Sequence, residues 1–291
     1  PVPFSEVTKE DLKNRNLGQD LPILLNFLPS MVTTSDAGAG IGYTGIRVRG
    51  SDATRVNVTI NGIPYNDAES QGTFWVNMPD FASSVESIQL QRGVGTSTNG
   101  SSAFGASLNI LTDAGAPTAY AEITNAVGSF GTLRNTLKFS TGLLNDRIEF
   151  SGRLAKISSE GYIDRASSDL KSYFLQGMYK DKNTLIKALA FGGHEVTYQS
   201  WFGVDPFTLE NNRTYNFAGE IYNDNGDLTG YYDNQVDNYR QDHYQLHWNQ
   251  AFSNNWSTSV GLNYTYGRGY YEEYNNDDSL ANLRLDDVVL G

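Results

Sequence analysis

The second half of the chain alternates between apolar and polar residues. Seven runs of about 9–13 residues between positions 119 and 266 show a period of two, with varying clarity. In the clearest run, 256–266, Trp256 and Leu262 share one face and Asn263 lies on the other. This period predicts strands with one apolar and one polar face. The run Leu185–His194 is ambiguous, because Lys187 falls on its apolar face.

Three features favour lipid over a protein core as the neighbour of the apolar faces. The runs have the ~9–11 residues that a transmembrane strand needs, whereas soluble strands average ~5–6. Aromatic residues such as Phe252 and Trp256 stand at strand ends, as in the aromatic girdles of outer-membrane barrels. Short turns also alternate with longer segments, the longest being Gln199–Gln241, while a further long segment starts at Gly267. The soluble alternative is a β-sandwich.

The first 113 residues predict a different object, a small mixed α/β domain. Thr8 can cap a short helix with Asp11 three residues later. Asp20 can cap a second helix that runs to Pro29. Four short strands are expected, at Gly45–Arg49, Arg55–Ile60, Ser87–Arg92 and Ser107–Leu111. Long Gly- and Ser-rich loops between them indicate a function or a covering partner.

Composition divides the chain at the same place. Of 18 Tyr residues, all but Tyr43 and Tyr65 follow position 118. We therefore place a first domain at 1–113, a linker at 114–118 and a strand-rich region at 119–291.

Charge and cysteine content exclude several classes of function. The net charge is −12, so a nucleic-acid partner held by phosphate contacts is not expected. The absence of cysteine excludes disulfide scaffolds and thiol chemistry. No apolar run has the length of a transmembrane helix. Pro1 is not a natural start, so we expect that residues precede it.

The first domain resembles the plug of TonB-dependent outer-membrane transporters. Five segments carry the resemblance in the family's order: Asp20–Ser30, Ile46–Ser51, Val58–Asp67, Met78–Gly93 and Phe104–Thr112. The family usually has Asp where Asn61 stands, and a Tyr-Gly pair where Thr98-Asn-Gly stands. The segment Gln91–Thr98 is closer to the branch that imports iron complexes than to the oligosaccharide importers.

The resemblance implies an α+β plug domain followed by antiparallel transmembrane β-barrel strands. About seven strands of a ~22-stranded barrel would be present, so we expect a fragment of a longer protein. The implied function is uptake of a scarce nutrient, most simply an iron–siderophore or haem-like chelate, across the bacterial outer membrane. Its partners would be membrane lipid, the ligand and a TonB-type energy-coupling protein, which would grip a box preceding Pro1.

Other readings stay open. The ligand could instead be a carbohydrate or cobalamin, or the barrel could bind at the surface without transport. A secreted β-rich hydrolase is a further alternative. No nucleophile elbow, phosphate loop or zinc helix occurs, so we expect no enzymatic activity, no cofactor and no resident metal. Asp224–Leu228 is similar to a calcium loop but lacks its final Glu.

Residues that mix aromatic, amide and acidic groups in the outward loops are the candidate ligand contacts. They are Tyr43, Tyr65, Asn66, Asp67, Glu69, Gln71, Phe74, Trp75, Trp201, Tyr231 and Tyr232. In the family, an arginine before a plug glycine pairs with a barrel glutamate. The resemblance therefore implies a plug–barrel role for Arg49-Gly50 and Arg92-Gly93.

Overall fold

The computed structural model describes residues 4–94, 104–275, 282 and 284. Part of the segment that favoured the iron-complex branch, 95–98, and the Thr98-Asn-Gly departure lie outside the described residues. So does most of 276–291, the end of the expected barrel region.

The N-terminal domain, residues 4–94 and 104–112, is built on a five-stranded sheet. Its elements are β1 (Phe4–Thr8), α1 (Lys9–Lys13), α2 (Leu21–Leu24), β2 (Met31–Ser35), β3 (Thr44–Val48), β4 (Val56–Ile60), β5 (Ile63–Pro64), β6 (Val85–Arg92) and β7 (Ala106–Thr112). The strand order is β1-β6-β7-β4-β5, with β4 parallel to β7. Strands β2 and β3 form a separate hairpin.

Local signals in this domain are mostly met. The Thr8 side chain and Asp11 form a reciprocal capping box on α1. The Asp20 side chain, by contrast, makes no capping hydrogen bond, because its Oδ2 accepts from the Thr44 hydroxyl at 3.0 Å. The helix after Asp20 is also shorter than the sequence predicts, although its leucines are buried as expected.

The four expected strands are present as β3, β4, β6 and β7, with ends shifted by one or two residues. The strands missed by sequence patterning are β1, β2 and β5. Two of them carry polar residues along a short edge or hairpin, and β5 has only two residues, so they show little apolar periodicity.

The rest of the chain forms a seven-stranded antiparallel sheet, here called the strand wall. Its strands are β8 (Ala119–Val127), β9 (Leu133–Thr141), β10 (Ile148–Ser159), β11 (Ser168–Lys180), β12 (Thr184–Tyr198), β15 (Val236–Ser253) and β16 (Trp256–Tyr271). Each pairs only with its sequence neighbours in the sheet. The connection 199–235 adds α3 (Pro206–Asn211) and the hairpin β13 (Glu220–Tyr222) and β14 (Leu228–Tyr231). The seven expected strands are confirmed.

The strand wall exposes its apolar face and has its polar face covered, which is the reverse of a sheet in a soluble protein. Leu154 is 49% exposed, and its cross-strand neighbours Leu137 and Ile123 are 37% and 72% exposed. Arg153, on the opposite face of β10, is 1% exposed and lies under the N-terminal domain. A β-sandwich would bury the apolar face instead, so this orientation favours the barrel interpretation.

The structure explains why the period of the run Leu185–His194 in β12 is unclear. Lys187 lies on the covered face, where its ammonium donates to the Thr112 and Asp113 carbonyls. Leu189 and Phe191 share that covered face and join the core of the N-terminal domain. The run therefore has apolar residues on both faces, which is why its period is unclear.

At the end of the wall near the connection 199–235, the strands extend further than sequence patterning indicated. The segment predicted as a loop to Gln241 ends at Gln235, because β15 begins at Val236 and pairs with β12 from Tyr198 onward. Strand β16 continues to Tyr271, so the expected loop from Gly267 is wrong at its start. Strand β11 likewise begins at Ser168. These extensions mix polar residues with scattered apolar ones such as Leu170 and Val236, so they lack the regular alternation typical of a lipid-facing strand.

The wall's connections differ in length at its two ends. Segments 142–147, 181–183 and 254–255 join strands at one end, while 128–132, 160–167 and 199–235 join them at the other, here called the long-connection end. No helix among the described residues has the length and apolar character to cross a bilayer.

Asp80 fastens the N-terminal domain to the strand wall. Its fully buried carboxylate accepts from Arg134 Nη2 at 2.8 Å and Thr136 Oγ1 at 2.7 Å. Arg153 Nη1 lies 3.8 Å from Asp80 Oδ2 and also donates to the Asp80 carbonyl. The residue adopts a left-handed conformation, with φ of 54°, which a non-glycine residue keeps only when its surroundings hold it.

We expect Asp80→Asn to destabilise the docked N-terminal domain by about 3–5 kcal/mol, because two buried guanidinium groups lose their carboxylate. Urea titration of the protein in detergent, read by limited proteolysis, measures this loss. Asp233→Asn, on an exposed loop residue, is the matched control. Equal stability of the two variants would contradict the anchoring role.

Candidate functional site

A cleft of about 560 Å³ lies between the N-terminal domain and the strand wall. The wall contributes Glu195 near the end of β12 and Asp237, Tyr239 and Gln241 near the start of β15. These positions adjoin the connection 199–235, so the cleft is at the long-connection end. From the N-terminal domain come Tyr43, Asp67, Glu69, Ser70, Phe74 and Asn77.

A close approach of backbone fixes the inner side of this cleft. A Cβ on Gly193 of β12 would stand 2.3 Å from the Asn77 carbonyl oxygen. Only glycine lets the domain backbone lie this close to the wall. Asn77 makes this contact itself, and Glu195 lies two residues after Gly193 on β12. The close approach thereby brings Asn77 and Glu195 into one site.

The loop that forms the outer side of the cleft is held by two of its own side chains. The Asn66 amide donates to the Val56 and Gln71 carbonyls, and its oxygen accepts from Val58 N at 2.7 Å. Asp67 accepts from the backbone of Ser70 and Glu69, and these bonds lower the pKa of Asp67. The loop therefore keeps its shape and presents an ionised carboxylate.

Tyr43 connects two acidic residues of the wall. Its hydroxyl donates to Asp237 Oδ2 and lies 3.5 Å from Glu195 Oε1. Burial, with these two carboxylates close by, raises the pKa of Tyr43, so the phenol stays protonated as a donor. The other Glu195 oxygen, Oε2, is buried without a hydrogen-bond partner among the described residues.

Asp20 lies behind this group. Its side chain is 3% exposed, and its Oδ1 has no hydrogen-bond partner in the described part of the chain. Burial raises the pKa of Asp20 to about 8, while the Thr44 hydroxyl opposes that shift. Asp20 is therefore neutral through most of the physiological range.

A second cleft of about 400 Å³ adjoins the first and shares Asp67, Phe74, Tyr239 and Gln241 with it. Tyr65 lines it, with a hydroxyl 3.4 Å from Gln241 Oε1 and a ring centroid 5.0 Å from that of His243. Burial raises the pKa of Tyr65. Together the clefts form one polar, aromatic-lined groove.

The aromatic candidates of the connection 199–235 divide into two groups. Trp201 packs edge-on against Tyr43, with centroids 5.4 Å apart, and so borders the cleft. Tyr231 covers the Arg165 guanidinium at 3.5 Å, and Tyr232 donates to Glu272. Those two residues tie the connection to the neighbouring segment 160–167 and to Glu272 after β16, and they line neither cleft, so their ligand contacts stay a prediction.

Two loop candidates are placed away from the cleft. Trp75 is wrong as a surface contact: it is 2% exposed in the core, because a 3-10 turn over Trp75–Asn77 directs the ring inward. Gln71 is exposed in a left-handed conformation and lines neither cleft.

Four wall residues were missed as candidates: Glu195, Asp237, Tyr239 and Gln241. The available signal was their position, since all four fall on the covered face near the long-connection end. Three of them lay inside the segment that patterning assigned to a loop. Among the described residues, no group of three or more His, Asp or Glu is arranged to hold a metal ion.

Comparison with known families identifies the N-terminal domain. Residues 1–107 match the family model described as the TonB-dependent receptor plug domain. The N-terminal domain is a TonB-dependent receptor plug. The strand wall follows this plug domain in the chain and covers it with its polar face, as the barrel does in that family's fold. No curated protein sequence matches the chain significantly.

Solved structures share the whole fold at low sequence identity. The ferric citrate transporter FecA in the unliganded form is 14% identical, with a TM-score of 0.70. The match covers 94% of this chain and 41% of the FecA chain. The ferric-catecholate import receptor Fiu from E. coli K12 is 13% identical, with a TM-score of 0.70. That match covers 93% of this chain and 39% of the Fiu chain. The alcaligin outer-membrane receptor FauA from Bordetella pertussis is 16% identical, with a TM-score of 0.67. Its match covers 94% of this chain and 40% of the FauA chain. The chain thus spans about two fifths of each receptor, and these likenesses show the fold.

The arginines that the family resemblance singled out are at the plug surface. Arg92 Nη1 donates to Ser5 Oγ at 2.7 Å, within the plug domain. Arg49 is exposed, and the following Gly50 has a φ of 79°, while Gly93 after Arg92 has a φ of 86°. Pairing of Arg49 and Arg92 with barrel glutamates stays a prediction. The ion pair of Asp80 with Arg134 has the opposite polarity, with the acid on the plug.

The raised pKa of Asp20 predicts a pH dependence of stability. Between about pH 4, the unfolded value, and about pH 8, the folded plug holds a proton that the unfolded chain releases. Stability must therefore fall as pH rises through this window, by at most about 1.4 kcal/mol per pH unit.

Asp20→Asn should remove this part of the slope. Urea titrations at pH 5 and pH 8 compare the variant with the unchanged protein and with Asp52→Asn, an exposed control. The same slope in Asp20→Asn and in the unchanged protein would show that Asp20 is ionised throughout.

Proposed function

We propose that this chain belongs to an outer-membrane receptor that binds a scarce polar nutrient in the groove above the plug and imports it. The observation that carries this proposal is the position of the groove. It lies where plug loop and wall meet, at the long-connection end, which faces the cell exterior in outer-membrane barrels.

The lining suits a small organic ligand. Phe74 and Tyr239 offer aromatic surface, while Gln241, Ser70 and Asn77 offer hydrogen bonds. Exposure of 43% leaves the Phe74 ring available to a ligand. An iron–siderophore or haem-like chelate fits this combination, and the iron-import names of FecA and Fiu support it by fold likeness.

Import against a concentration gradient requires energy, which ligand binding in the groove does not supply. A TonB-type coupling protein, which acts on receptors with a plug domain, would supply it from the inner membrane. The outward apolar face of the strand wall, with Leu154 and Leu246 among its exposed side chains, supports outer-membrane lipid as the surrounding medium.

Carbohydrate is the second candidate ligand class. Aromatic rings beside amides, as with Phe74 and Tyr239 next to Gln241, also suit a sugar. Growth separates the two classes. If the receptor imports an iron chelate, a deletion strain should not grow under iron limitation with the chelate as iron source. If it imports carbohydrate, the deletion strain should not grow on the polysaccharide.

We expect deletion of the gene to abolish uptake of 55Fe-labelled chelate, and removal of the coupling protein to have the same effect. Complementation with Phe74→Ala should raise the half-saturating chelate concentration about 10-fold, as loss of a central aromatic contact does. Phe207→Ala, at a 75% exposed ring of α3 outside the groove, is the matched control. Unchanged iron uptake in the deletion strain would contradict the proposal.

A further inference from the structure

We propose that the cleft recognises an organic cation, an ammonium or guanidinium group of the ligand, through Glu195 and Asp237. This inference rests on the proposed function, because it names the chemistry of the ligand that the receptor would import. It narrows the chelates considered above to those that carry a free cationic group.

In the described part of the chain, the ionisable side chains that line the cleft include acids but no bases. Four acidic residues line it: Asp67 and Glu69 from the plug, Glu195 and Asp237 from the wall. Of the described residues that line it, none is basic. A concave surface with charges of one sign concentrates ligands of the opposite sign and repels the like-charged ones.

Glu195 has an unfilled acceptor at this place. The residue is 1% exposed, and its Oε2 has no hydrogen-bond partner among the described residues. Its Oε1 lies at the long distance of 3.5 Å from the Tyr43 hydroxyl. A buried carboxyl oxygen without a donor is costly, so a ligand N–H donor would gain a hydrogen bond here, and a cationic donor would stabilise the ionised form of Glu195 that burial opposes.

The arginine that stands between two cleft residues of β15 is turned away from the cleft. Arg240, between Tyr239 and Gln241 on β15, is on the outward face and binds Asp242 through Nε at 3.1 Å. Alternation along the strand keeps its guanidinium from Asp237, since the two lie on opposite faces. Among the described residues, no basic side chain that lines the cleft therefore pairs with Glu195 or Asp237.

Organic cations fit the cleft better than metal ions do. The described His, Asp and Glu residues form no group of three arranged for a metal. Aromatic rings of Tyr43, Phe74 and Tyr239 share the lining with the carboxylates. Rings beside carboxylates attract ammonium and guanidinium groups through cation–π contacts as well as charge.

The test uses two probes that differ in one charge. Ferrioxamine B is an iron chelate with a free primary ammonium, and its N-acetyl derivative has the same chelate without the charge. Calorimetry with the full-length receptor in detergent measures both. We expect ferrioxamine B to bind about 10-fold more tightly, the value of one charge-assisted hydrogen bond.

Glu195→Gln and Asp237→Asn should each bring the two affinities close together, whereas Glu210→Gln, an exposed acid on α3, should keep them apart. Asp237 is only half-buried, so its variant folds even if the change at Glu195 disturbs packing. Equal binding of the two probes, or binding of neither, would overturn the cation proposal.

Uptake measurements keep this inference separate from the proposed function. Import of an anionic iron chelate without binding of ferrioxamine B would retain the receptor function and reject the cation site. Charge-dependent binding of ferrioxamine B without any energy-coupled import would do the reverse.

Discussion

One buried carboxylate connects the two parts of this chain. Asp80 leaves the plug in a left-handed turn and reaches Arg134 and Arg153 on neighbouring strands of the wall. Those arginines could not lie beneath a covering domain without an acid to compensate them. The plug can therefore cover this part of the wall because it brings the compensating acid, and the position of the groove follows from how the plug is fastened.

The groove collects residues from both parts. Tyr43 of the plug donates to Asp237 of the wall, and the close approach at Gly193 sets Asn77 beside β12. Because the lining belongs to both bodies, a movement of the plug would alter the groove directly. Under the proposed function, a ligand bound there and a force applied to the plug would thus act on the same set of contacts.

Much of the architecture could be predicted from sequence because it depends on local periodicity. Alternation along β10 assigned Leu154 and Arg153 to opposite faces, and the structure puts them there. The Asp80 contact could not be predicted, since its partners lie 54 and 73 residues away along the chain. Trp75 was misjudged because an aromatic residue in a polar loop looks the same in sequence whether it faces ligand or core.

The central claim is that the apolar face of the strand wall meets lipid. The chain contains no cysteine, so single cysteines at Leu154 and Leu246 can carry nitroxide labels in proteoliposomes, with Asp233 as the water-exposed reference. Accessibility to oxygen and to a water-soluble nickel complex is then measured for each label. We predict that oxygen dominates at 154 and 246 and the nickel complex at 233. Equal access of the nickel complex to all three labels would contradict the account.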